Sequence, residues 1–168
     1  MNMWIDILRK AALLGFFIAF MACTPEDGQD PSGAAEEFSG DVAGVGTITA
    51  SRDFDTISGT KVSAAGASIL MMQGTDNSGK GFMLRISTYN GAGTYDLGFT
   101  NIANTATFIE GVAVGQQYST AYQGTSGKIT ITADDGKRIE GKFEFVGKIN
   151  NTSASRTVTN GKFKVNLQ

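Results

Sequence analysis

The chain has 168 residues, including 22 Gly, 2 Pro, one Cys and no His, and its 14 Lys and Arg stand against 16 Asp and Glu for a formal net charge of -2. That length suits one domain, and a chain rich in Gly, Thr, Val, Ile and Phe suits strands joined by turns, which excludes collagen-like and disordered readings. Lack of His excludes zinc-hydrolase and His-dependent triad chemistry, and a single Cys excludes an internal disulfide.

Residues 1–10 end in Arg9 and Lys10, and an uncharged apolar run follows from Ala11 to Ala22. As a helix this run would span about 18 Å against a hydrocarbon core of ~30 Å, so residues 1–22 read as a signal peptide rather than a membrane span. Phe20-Met21-Ala22-Cys23 resembles the lipobox of bacterial lipoproteins, although Phe20 stands where leucine is more usual. The resemblance implies cleavage after Ala22 and acyl chains, palmitate among them, on Cys23. At ~0.8 kcal/mol per buried methylene, such chains hold a protein at a membrane.

Six acids and no base lie between Thr24 and Asp41, so residues 23–41 read as the lipidated Cys23 followed by a flexible, solvated tether. Thr24-Pro25-Glu26-Asp27 is similar to the export signals that send lipoproteins of Bacteroidota to the cell surface. From Val42 to Gln168 the balance is 12 Lys and Arg against 9 Asp and Glu. That excess is too small for a nucleic-acid partner, which needs a dense basic face.

Residues 42–168 read as one β-rich globular domain. Strands are expected over Gly46 to Ser51, Ser68 to Gln73, Thr94 to Phe99, Thr107 to Val114 and Gln117 to Gln123. Period-two alternation is clearest at Phe82, Leu84 and Ile86, at Ile129 and Ile131, at Phe143 and Phe145, and at Phe163, Val165 and Leu167. Short Gly, Asn and Asp turns between these runs favour antiparallel neighbours. The expected fold is all-β: a single antiparallel β-barrel or β-sandwich of about eight to nine strands, preceded by a signal peptide and flexible tether.

Four blocks, Gly93-Thr94-Tyr95-Asp96-Leu97-Gly98, Gly127 to Thr132, Ile139 to Phe145 and Val158 to Phe163, resemble in order and spacing a family of small uncharacterised Bacteroidota lipoproteins. The resemblance spans Gly44 to Leu167. It implies a β-rich envelope domain and carries over no catalytic residue.

The candidate chemistry is sparse. Asp96, Glu110, Glu140 and Glu144 are the carboxylates for a glycan hydrolase, but no spacing pairs them in a cleft. Asp134-Asp135-Gly136-Lys137 and Asp76-Asn77-Ser78-Gly79 offer oxygen ligands yet lack the longer calcium series, and Asp and Asn in such turns bond their own backbone. Tyr118 and Tyr122 are expected to share a strand face and, with Tyr89, Tyr95, Phe99 and Phe108, are the candidate ligand-facing aromatics. Asp55-Thr56-Ile57 resembles a three-residue O-glycosylation motif, which implies modification at Thr56.

The expected protein is therefore a lipoprotein anchored in the outer membrane, on its periplasmic or cell-surface face. It is read as a non-enzymatic binding or structural accessory domain whose molecular role the sequence does not name, with no cofactor, no metal and no catalytic residue. Its partners are the membrane, through the lipid anchor, and an envelope protein or glycan. A lipocalin-like carrier of a small apolar ligand and a carboxylate-based glycan hydrolase are the alternatives.

Overall fold

A computed structural model describes residues 35–51, 55–111 and 116–168. Eleven strands follow in order: β1 (Glu37–Val42), β2 (Gly46–Ser51), β3 (Thr56–Ala64), β4 (Ala67–Thr75), β5 (Gly81–Ile86), β6 (Gly93–Gly98), β7 (Asn104–Ile109), β8 (Gln117–Ser119), β9 (Ser126–Asp134), β10 (Arg138–Lys148) and β11 (Ser155–Asn166). A 3-10 turn, Phe99–Asn101, joins β6 to β7.

The strands form one antiparallel sheet in the order β2-β1-β11-β10-β8-β7-β5-β4-β3, with β9 paired to β10 and β6 paired to β9. It curls into a nearly closed barrel. A parallel bridge joins Gly59 of β3 to Leu167, and the Gln168 amide donates to the Gly59 carbonyl at 2.9 Å. Thus the C-terminus closes the seam, and the all-β, antiparallel, barrel-like expectation holds.

Two strands exceed the expected set. The sheet begins at Glu37, so the last five residues of the expected tether, Glu37 to Asp41, are structural and the expected boundary at Val42 falls inside the fold. β1 pairs with both β2 and β11, and its Phe38 is fully buried. The other added strand is β3. Its inward positions are Ile57, Gly59 and Lys61, a sequence without apolar alternation, because Val165 and Leu167 fill the space over Gly59 and Lys61 reaches the barrel mouth.

Alternation sets the interior. Phe82, Leu84 and Ile86 of β5, Ile129 and Ile131 of β9, Phe143 and Phe145 of β10 and Phe163 and Val165 of β11 all turn inward. Phe38 lies 5.6 Å from Phe143, 5.8 Å from Phe163 and 6.2 Å from Phe82 between ring centroids, and Phe82 lies 5.1 Å from Phe143. These spacings match aromatic pairs in contact. Gly74 of β4 faces Phe38 so closely that a methyl group there would overlap the ring. The barrel interior is therefore filled by side chains rather than held open as a chamber.

An extra residue in β11 shifts its register against both neighbours, between Ser39 and Asp41 on β1 and between Phe143 and Phe145 on β10. Asn160 at this bulge has φ 53°, a left-handed conformation that Asn tolerates well. The bend lets one long strand serve both walls of a small barrel.

Candidate binding surface

The aromatics expected to face a ligand do not form one surface. β8 ends at Ser119, so Tyr118 and Tyr122 share no strand face. Tyr118 is buried, its ring stacked 6.1 Å from Phe108, whereas Tyr122 lies in the following turn, where its carbonyl accepts the Thr125 hydroxyl at 2.6 Å. Core packing claims Tyr118, Phe108 and Tyr89 alike. Thr56 is the exposed first residue of β3, open to modification, and the Asp55 carboxylate beside it accepts the Ser51 amide at 2.8 Å. Ala22 and Cys23 lie outside the described residues.

Three of the four candidate carboxylates are held in ion pairs. Glu144 is ion-paired with Lys128 at 3.1 Å, Glu140 with Lys164 at 3.1 Å, and Glu110 with Arg156 at 2.9 Å, while Asp96 stands opposite Lys128 in the register. Asp96 and Glu144 flank Lys128 on the outer face of β6, β9 and β10, with the lysine between them. In the Asp76 turn the carboxylate accepts both the amide and the hydroxyl of Ser78 and the amide of Lys80, at 2.6 to 2.9 Å. Asp135 accepts the amides of Lys137 and Arg138 at 2.8 and 2.7 Å. These oxygens are committed to their own turns, and among the described residues no three acids or Cys gather as a metal site.

Two polar clusters clamp the barrel ends. At one end the Tyr89 hydroxyl donates to Asp134 at 2.6 Å and Lys61 reaches the same carboxylate at 3.2 Å. Burial pushes the Asp134 carboxyl up, but the Tyr89 hydroxyl, the Gly136 amide and the Lys61 ammonium outweigh it and hold the group below its ordinary value. Burial and the same carboxylate push the Tyr89 phenol well up. At the other end the Arg156 guanidinium lies 4.9 Å over the Tyr118 ring and, by its bond to Glu110, holds that carboxyl low. Sequence reasoning missed both clusters, whose members come from distant strands.

The outside of the barrel has two unlike walls. On β9, β10, β11 and β1 the outward residues include Lys128, Glu140, Glu144, Lys142, Lys162, Lys164 and Glu37, a mixed set of charges in which Lys128 pairs with Glu144 and Lys164 with Glu140. On β3, β4, β5 and β7 they are Ser58, Thr60, Val62, Ile69, Met71, Gln73, Met83, Arg85, Thr105 and Thr107. Among the described residues of these four strands Arg85 is the one outward charge. It stands directly across from Met71 in the register and two residues from Met83, and each methionine is 44% exposed. Val62, 50% exposed, pairs with Ile69 at the edge of the same wall.

A shallow open depression of about 420 Å³ lies at the β1–β2 turn, lined by Asp41, Val42, Ala43, Gly46, Thr47, Thr157 and Thr159. The Asp41 carboxylate there already accepts Thr47 at 2.6 Å and Asn160 at 2.9 Å. These bonds tie β1 to β2 and to the bulge of β11.

The family described as a domain of unknown function, DUF6252, matches residues 45–165. The chain belongs to that family. The match runs from the turn before β2 to Val165 of β11, close to the span from Gly44 to Leu167 expected from the sequence, and leaves β1 outside. Comparison with curated proteins and with solved structures gives no match. Within the DUF6252 span lie the whole low-charge wall, both end clusters and all of the core except β1.

Proposed function

We propose that this chain is a lipid-anchored protein of the cell envelope whose barrel is a non-enzymatic recognition module, docking a partner protein on the low-charge wall of β3, β4, β5 and β7. One contrast carries the reading: the interior is filled by phenylalanine rings, while an outer wall keeps exposed methionines around a single arginine. Interface centres are enriched in Met and Arg and depleted in Lys and Glu, and flexible methionines adapt to a partner's shape. The partner is a protein surface with apolar side chains around one carboxylate that meets Arg85.

The address rests on the leader. A short apolar run, the small residue Ala22 and then Cys23 fit lipoprotein processing, and the acids behind Cys23 fit export to the outer membrane in the manner of Bacteroidota. Paired Lys and Glu on the outer wall of β9 to β11 are unlike the apolar band of a membrane-embedded barrel, so a lipid tether is the better means of attachment. A lined cavity would favour a carrier, and two converging acids a hydrolase. Packed rings stand in place of the first and separate ion pairs in place of the second.

A photo-crosslinking amino acid at Met71 or Met83 in the native host, with Lys142 and Lys162 as comparison positions, tests the docking wall. The expected result is one discrete adduct shared by positions 71 and 83 and missing at 142 and 162. Equal adducts at all four positions, or adducts at the lysines alone, contradict it.

A further inference from the structure

The connection from β6 to β7 holds two large apolar side chains in solvent. Phe99 is 54% and Ile102 is 63% exposed, the two highest values for large hydrophobics among the described residues. They stand three positions apart across a 3-10 turn, a geometry in which side chains at i and i+3 eclipse, so both project from the same side. No residue from Leu97 to Asn104 is charged.

The turn is braced outward. The side-chain amides of Asn101 and Asn104 both donate to the Asp96 carbonyl, at 2.8 and 3.3 Å. Gly98 enters the turn at φ 140°, and a Cβ there would lie 3.0 Å from the Thr125 carbonyl oxygen, so the chain takes a path that other residues resist. This apolar pair is presented by the fold and does not fold back onto the barrel.

We propose that the Phe99–Ile102 turn is a second membrane contact, seating both side chains at the headgroup–acyl boundary of the bilayer to which the chain is tethered. The inference rests on the anchoring reading given above. A protein pocket for such a pair would be concave and ringed by polar contacts, and this turn brings no charged group to meet a rim. A bilayer accepts an isolated convex tip, and aromatic residues favour its interface. Two side chains bind weakly on their own. Glu37 lies fourteen positions after Cys23, a reach of at most about 50 Å, so lipid on Cys23 keeps the turn at a high effective concentration beside the membrane. Because the turn is uncharged, the contact is insensitive to salt and to the charge of the headgroups.

Tryptophan fluorescence reads the contact directly, since the one tryptophan of the chain, Trp4, falls within the leader and leaves a processed chain without background emission. Lipidated protein running from Cys23 to Gln168 and carrying either Phe99→Trp or Met71→Trp is reconstituted in phosphatidylcholine vesicles whose acyl chains are brominated. The expected result is blue-shifted emission and several-fold stronger quenching at position 99 than at position 71, unchanged by salt. Protein that floats with the vesicles but is quenched equally at both positions overturns the turn contact and leaves the anchor standing. Protein that does not float at all overturns both.

Discussion

Lys61 and Tyr89 converge on Asp134 although 73 and 45 positions separate them from it in the chain. No local pattern announces such a cluster: the sequence shows Asp134-Asp135-Gly136 as a turn, which it is, but gives no sign of the two partners that cross the barrel mouth. Asp134 has a depressed folded-state pKa, so its contribution to stability is complete above the unfolded value of about 3.9 and is lost as pH falls through the folded value. Asp134→Asn is therefore expected to lower stability at neutral pH by about 1.5–3 kcal/mol, the range for hydrogen bonds to a charged group. It should also flatten the acid limb below about pH 4, which urea unfolding across pH measures. An unchanged acid limb would show that other carboxylates, such as Glu110 with its own depressed value, carry the transition. Phe38 tests packing in the same assay. It touches three other rings at full burial, and Phe38→Ala is expected to cost about 3–5 kcal/mol.

At the scale of elements, strands with clean alternation were legible and the others were not. β2, β5, β6 and the core of β9, β10 and β11 stand close to where period-two patterning puts them, because in each the apolar residues face inward on every second position. β1 carries the same signal in Phe38 and Val42 with Gly40 between, but it lies within an acidic stretch whose composition reads as tether. β3 hides for another reason, since its inward Gly59 leaves room for the C-terminal strand instead of filling the core itself. β8 is shorter than its apolar residues suggest because Thr120 leaves the strand and accepts the Ala106 amide through its hydroxyl at 3.0 Å. Whether β1 belongs to the fold can be measured. A chain that starts at Val42 lacks Phe38 and the partner of β2, so it should lose cooperative thermal unfolding, whereas a chain that starts at Ser32 should keep it.

The molecule as a whole is a filled barrel that follows an N-terminal segment we read as a lipoprotein leader. Its fold class was readable because hydrophobic alternation and turn residues are local signals. The low-charge wall was not, because it appears when β3, β4, β5 and β7 come together and its residues, Met71, Met83 and Arg85 among them, are ordinary outward positions one strand at a time. With the interior occupied, the proposed role at the envelope depends on the outer surface and on attachment at the N-terminus. The attachment is the claim on which both proposed contacts depend. Intact mass spectrometry of protein extracted from membranes of the native host tests it most directly. The anchored barrel predicts a chain running from Cys23 to Gln168, heavier by a diacylglyceryl group and a further acyl chain. An unmodified thiol at Cys23, or a chain still carrying residues 1–22, would contradict it.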